Sequence, residues 1–195
     1  EACPDQNARI LVRASRFAAG WALLYASYRL YYAAGGTVGM LGTPVSDQQW
    51  RMINAVGAAF ILIVAGLPLV LLKAWRRRRA QPALLALSWL IAVGSMSHAF
   101  IGIIQRISSL TGALTIPYPF WQTIDRTEAD LQALFFNEPW FLVLGLLWAI
   151  IAWAGALRAS PRRKWWFGSV IAAVAGLTAV GVLSAYGTIG SFFIG

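Results

Sequence analysis

His98, the only histidine of this 195-residue chain, lies inside the apolar run Ala83–Ile104. At about 100° per residue, Ser95, His98, Gly102, Gln105, Arg106 and Ser109 fall within about one third of a helix circumference. They form a polar seam on an otherwise apolar helix. Arg29 interrupts a second apolar run, beside an aromatic stripe of Trp21, Tyr25, Tyr28 and Tyr32. Asn54 and Glu138 open two further runs. An ionisable group inside a membrane span costs about 2.5–3.5 kcal/mol on insertion scales, so it is expected to face a protein interior. Arg29, Asn54, His98, Gln105, Arg106 and Glu138 are therefore the candidate ligand-binding residues, with Tyr25 and Tyr32 as an aromatic wall. A guanidinium offers a planar fork of donors that matches carboxylate and phosphate oxygens. Two arginines against one carboxylate predict a positive cavity, suited to a small anion or a lipid headgroup phosphate.

Each candidate has a plainer reading beside this one. Arg29 and Arg106 can snorkel to lipid headgroups. Glu138 can pair with an arginine at a helix N-terminus, and His98 can be a satisfied interior imidazole. A single histidine excludes a bis-histidine haem and a His-rich zinc site. Glu128 and Asp130 read as a solvated helix start rather than a cation site. No GxSxG, P-loop, HExxH or Rossmann glycine pattern is present. Cys3 is the one cysteine, which excludes an internal disulfide and a CxxC redox pair. The expectation is a protein with no catalytic residues, no metal and no cofactor.

The elements that must position these residues follow from composition. The chain is 59% hydrophobic and 12% charged, against about 45–50% and about 25% in average proteins. That is too little charge to cover a soluble domain, and it points to an integral membrane protein. A spanning helix needs about 20 mostly apolar residues. Ile53–Leu72, Ala83–Ile104, Pro139–Leu157 and Phe167–Ile189 meet this cleanly, and Phe17–Ala34 meets it while carrying Arg29. The prediction is an all-α bundle of five transmembrane helices forming a single domain over residues 1–195.

Charge sets the orientation. The chain has 16 Lys and Arg against 7 Asp and Glu, a net charge of +9. With the N-terminus inside, Arg9, Arg13, Arg16, Lys73, Arg76–Arg79, Arg158, Arg162, Arg163 and Lys164 all fall on the cytoplasmic side, as the positive-inside rule requires. The C-terminus is then outside, and the protein belongs in the inner (plasma) membrane as a multi-pass chain. Most of the positive excess is explained this way and by anionic inner-leaflet lipid. Nucleic acid is not an expected partner; membrane lipids and other membrane-protein subunits are.

Small residues mark expected close helix contacts: Ala18, Ala22 and Ala26 in span one, Gly57, Ala58, Ala65 and Gly66 in span two, and Gly168, Ala172, Gly176, Gly181 and Ala185 in span five. Trp75, Trp165 and Trp166 are expected in an inner interfacial belt, and Trp50, Trp121 and Trp140 in an outer one. The outer segment Ile107–Glu138 is long. Thr127 there can cap a short amphipathic helix with Leu131, Leu134 and Phe135 on its apolar face, lying on the outer surface, and Asn137 can cap span four.

Two stretches carry a resemblance. Leu30-Tyr31-Tyr32-Ala33-Ala34-Gly35-Gly36 ends span one, and Glu138-Pro139-Trp140-Phe141-Leu142, followed by Gly145, opens span four. The chain thereby resembles a group of uncharacterised small multi-span membrane proteins of actinomycete-type bacteria. Those carry a Leu-Tyr-Trp-Ala-Leu-Gly-Gly stretch and a Glu-Pro-Trp-Phe-Leu stretch. Tyr32 and Ala34 stand here where the group has Trp and Leu. The resemblance implies a bacterial membrane protein and no activity. The function expected from the residues is a non-enzymatic binding or accessory subunit with an outward-facing polar cavity. The alternatives are a small transporter or channel using Arg29, His98 and Glu138, and a lipid-modifying enzyme with His98 as base.

Overall fold

A computed structural model describes residues 4–157 and 160–189. Cys3 and Arg158 lie outside the described residues. The elements are α1 (Pro4–Ala33), β1 (Gly42–Pro44), α2 (Asp47–Val70), α3 (Gln81–Leu110), β2 (Trp121–Ile124), α4 (Arg126–Gln132), α5 (Glu138–Ala152) and α6 (Arg163–Ala185). A 3₁₀ turn at Ala74–Arg76 precedes α3, and π-turns at Ala133–Asn137 and Trp153–Leu157 flank α5. Among the described residues the regular structure is thus all helical apart from one two-stranded ribbon.

Four helical runs are long and apolar enough to cross a membrane: Asp47–Val70, Gln81–Leu110, Arg126–Leu157 and Arg163–Ala185. Each overlaps an expected span. The first expected span lies within α1, which starts 13 residues earlier than Phe17 and so carries Arg9, Arg13 and Arg16 on helix.

The helix starts have local causes. Ser46 caps α2 by accepting a hydrogen bond from the Gln49 backbone N–H at 3.3 Å, with Asp47 in the first turn. Asp125, not Thr127, caps α4, accepting from the Glu128 N–H at 2.9 Å. The expected separate surface helix is instead the opening of one continuous run, since α4 passes through the π-turn directly into α5. For the same reason Asn137 caps nothing: it sits inside the run. The expected apolar face is also reversed. Ala129, Asp130 and Ala133 are buried, while Leu131 and Phe135 point outward.

α1 packs most extensively on α2 and also on α5; α3 packs on α5 and α6. The Ala18, Ala22 and Ala26 stripe is buried, as are Ala58 and Ala65. Trp21 and Trp140 tie α1 to α5 reciprocally. Each indole N–H donates to the other residue's backbone carbonyl, at 3.0 and 3.1 Å, and the rings lie within 6° of parallel. Gly145 lets α5 approach α3: a Cβ there would meet the Ala92 carbonyl oxygen at 3.1 Å. The last helix keeps only part of its expected small-residue face: Gly181 is closely packed against Ile101. Gly168 and Gly176 have open space where a Cβ would stand, and Val170, Val174, Gly181 and Ser184 are the buried positions. Trp75, expected at an interface, is buried.

The two long connections pair with each other. β1 and β2 run antiparallel, with Gly42 opposite Ile124 and Thr43 opposite Thr123. Backbone bonds from Val45 N–H to the Phe120 carbonyl and from Asp125 N–H to the Leu41 carbonyl, both 2.9 Å, extend the ribbon. A Cβ on Gly42 would overlap the Thr123 carbonyl oxygen, so the close pairing needs glycine there. Trp50 and Trp121 rest against each other beneath it, centroids 4.8 Å apart.

Candidate functional site

At the ribbon end of the helices, α1, α3 and α5 line a partly open cavity of about 190 Å³. α1 contributes Tyr25 and Arg29, one helical turn apart. α3 contributes His98, Gly102, Gln105 and Arg106 from its polar seam. The π-turn and the first turns of α5 contribute Asn137, Glu138 and Phe141. A π-turn adds one residue to the helical repeat, which rotates the downstream face by about 100°. Asn137 closes that turn and Glu138 follows it, so both side chains enter the cavity where the helix changes register.

Six of the eight sequence-predicted site residues line this one cavity: Tyr25, Arg29, His98, Gln105, Arg106 and Glu138. Asn54 stands behind it. It is fully buried on α2 and accepts from Arg29 Nη1 at 3.1 Å, while its own amide donates to the Trp50 carbonyl. Tyr32 is elsewhere; its hydroxyl donates to the Val38 carbonyl at 3.1 Å and holds the turn after α1.

The two arginines are in different states. Arg106 pairs with Asp130 at 3.2 Å and donates to the Tyr118 hydroxyl at 3.0 Å, and that hydroxyl donates to the same carboxylate oxygen at 2.7 Å. Burial, and then the hydrogen bond to Asp130, raise the Tyr118 phenol above its usual pKa, so it remains a protonated donor. Arg29 faces neutral acceptors only. Beyond Asn54, it donates to the Tyr25 hydroxyl at 3.2 Å, which in turn donates to Asn137 Oδ1. Among the described residues no carboxylate pairs with Arg29. This corrects the expected charge balance. Asp130 is a buried second carboxylate, so two arginines stand against two carboxylates, and Arg29 is the arginine that no carboxylate pairs among the described residues.

Glu138 is 4% exposed, and its carboxyl lies directly against Gly102, where a Cβ would overlap it. His98 Nε2 is 3.8 Å from Glu138 Oε2, and the imidazole rests on Phe141 with centroids 4.2 Å apart. Glu138 Oε2, Arg29 Nε and Arg106 Nε are buried without a hydrogen-bond partner. No protein-family model, curated protein or solved structure matches the chain. Its chemistry therefore has to be read from these side chains.

A second cavity of about 170 Å³ lies between the first and the ribbon. Tyr28, Trp50, Tyr118 and Trp121 give it aromatic walls, and Arg29, Arg106, Ala133 and Asn137 belong to both cavities. The arginines thus form the partition between two chambers. Asp130, Tyr118 and Asn137 belong to the candidate site by contact and are not among the residues the sequence singles out for it. Asp130 carried one usable signal: it lies on the same helical side as the small residues Ala129 and Ala133, the side a lipid-facing helix turns inward. Among the described residues, no three His, Cys, Asp or Glu side chains come together as a metal site. A third hollow of about 600 Å³, between α3 and α6, is lined by Phe100, Ile104, Val174 and other apolar residues and offers no chemistry.

Proposed function

We propose that the chain is a five-span, non-enzymatic membrane protein, N-terminus inside, that binds a small oxyanion in its ribbon-end cavity. The bound group is a phosphate or carboxylate, carried by a lipid headgroup or by a free solute. The carrying observation is Arg29: a guanidinium beside a cavity it shares with Arg106, held by Tyr25 and Asn54, and paired with no carboxylate among the described residues. An arginine fork in a partly water-excluded site is matched by the two oxygens of such an anion. A 30-residue α1 that packs along α2 supports the fifth span, and the Lys and Arg distribution supports the orientation. The resemblance to small bacterial membrane proteins agrees with this class and adds no activity.

The test is thermal unfolding of the purified protein in detergent, titrated with inorganic phosphate, sulfate and acetate. Saturable stabilisation is expected, reaching about 2.7 kcal/mol at a concentration of 100 times Kd. Arg29→Gln should abolish it and Arg29→Lys should weaken it. Absence of stabilisation by any of the three anions would sink the proposal. Reporter fusions test the topology: a C-terminal alkaline phosphatase should be active, and one placed after Arg79 inactive.

A further inference from the structure

Glu138 is an acceptor without a donor. Its carboxyl is buried, its position is fixed by Gly102, its Oε2 has no hydrogen-bond partner, and His98 Nε2 at 3.8 Å is beyond hydrogen-bond reach. Burying a polar atom unpaired costs free energy, so such an atom is usually served by something. Arg29 and Arg106 show the complementary condition: both residues line the same cavity, and each keeps a buried Nε–H with no acceptor. One cavity therefore holds orphan donors with positive charge and an orphan acceptor with a carboxyl group. A simple anion satisfies only the first.

We infer that the ligand is an oxyanion bearing a hydrogen-bond donor on a short arm, an ammonium or a hydroxyl, with the oxyanion on Arg29 and Arg106 and the donor on Glu138. This rests on the oxyanion-binding reading above and narrows its ligand class. Size agrees. A cavity of about 190 Å³ corresponds to roughly six waters at about 30 Å³ each, which accommodates an oxyanion with a two-carbon arm. The aromatic second chamber borders the arginines from the other side, so the oxyanion can also carry a substituent that points toward the ribbon. Phosphoethanolamine and hydroxyethyl phosphate are the simplest members of the class, and both occur chemically as free esters and as parts of lipid headgroups.

The experiment compares ethyl phosphate, 2-hydroxyethyl phosphate and 2-aminoethyl phosphate by calorimetric titration of the full-length protein in detergent. The 2-aminoethyl ester should bind at least about tenfold more tightly than the ethyl ester, the worth of one charge-assisted hydrogen bond. In the near-isosteric Glu138→Gln variant the ammonium preference, read as the ratio of the 2-aminoethyl to the ethyl ester affinity, should fall below about threefold. Equal affinities in the unaltered protein, or a preference that survives Glu138→Gln, overturn the inference and leave oxyanion binding standing. Failure of all three esters, together with phosphate and acetate, removes the parent reading instead. If Glu138→Gln does not fold, His98→Gln with Glu138 intact serves as the second arm. It should keep the ammonium preference, and loss of the preference there assigns the donor contact to His98 and overturns the role given to Glu138. Repeating the titration in nanodiscs with and without phosphatidylethanolamine identifies the source. Competition by the lipid places the group on a headgroup, and unchanged affinity places it on a free solute.

Discussion

Gly102 and Glu138 meet face to face across α3 and α5, with the Glu138 carboxyl occupying the space where a side chain at position 102 would begin. Gly102→Ala must displace either the carboxyl or the helix. Overpacking of this kind costs about 1–3 kcal/mol, and the displaced carboxyl should also alter ligand affinity. Gly94 lies on the same helix with nothing near its would-be Cβ, so Gly94→Ala should be neutral or slightly stabilising by helix propensity, up to about 1 kcal/mol. Parallel melting curves of the two variants in detergent check the contrast.

The Arg106–Asp130 pair is buried at the carboxylate and one fifth exposed at the guanidinium. Removing one partner strands the other. Asp130→Ala should therefore destabilise by an amount near the lower end of about 3–5 kcal/mol, with the residual exposure of Arg106 reducing the cost. Removing both charges in Arg106→Met/Asp130→Leu should recover much of the loss. A double-mutant cycle in chemical denaturant reads the coupling; additive losses would deny that the two residues act as a pair.

Trp21 and Trp140 each carry one interhelical hydrogen bond in addition to their stacking. Phenylalanine keeps an aromatic ring and removes the N–H donor. Trp21→Phe and Trp140→Phe should each cost about 0.5–1.5 kcal/mol, measured as a shift in melting temperature, without changing oxyanion affinity.

Thr43 and Thr123 are direct partners in the ribbon. Opposed residues in an antiparallel pair have Cα atoms about 4.5–5.5 Å apart, inside the disulfide range of about 4.4–6.8 Å. Thr43→Cys with Thr123→Cys, in a Cys3→Ser background, should crosslink on mild oxidation and migrate faster on a non-reducing gel. A Thr43→Cys/Gln132→Cys pair should not, because Gln132 lies on α4 outside the ribbon register.

The helices were legible because spanning is a local property. The runs beginning at Ile53, Ala83, Pro139 and Phe167 needed only length and hydropathy, and each falls on a helix long enough to cross. The cavity residues were legible for a related reason: Arg29, His98 and Glu138 are costly in lipid and so advertise an interior. Asp130 was hidden because α4 turns its small residues inward and its large apolar ones outward. Leu131 and Phe135 face outward and Ala129 and Ala133 face inward, so a reading that turns apolar residues toward the protein assigns the carboxylate to solvent. The ribbon was hidden because its strands are three and four residues long and pair across some eighty residues of chain, leaving no periodicity to find. The glycines of α6 misled because small residues permit close packing without requiring it. Gly181 has Ile101 against it, and Gly168 and Gly176 have nothing.

The ribbon binds the α1–α2 connection to the α3–α4 connection through backbone hydrogen bonds, and Tyr118 fastens the same segment to Arg106 and Asp130. Two helical hairpins clasped at one end cannot part there as rigid bodies. Any rocking of α1–α2 against α3–α5 must pivot about the clasp and swing at the opposite end.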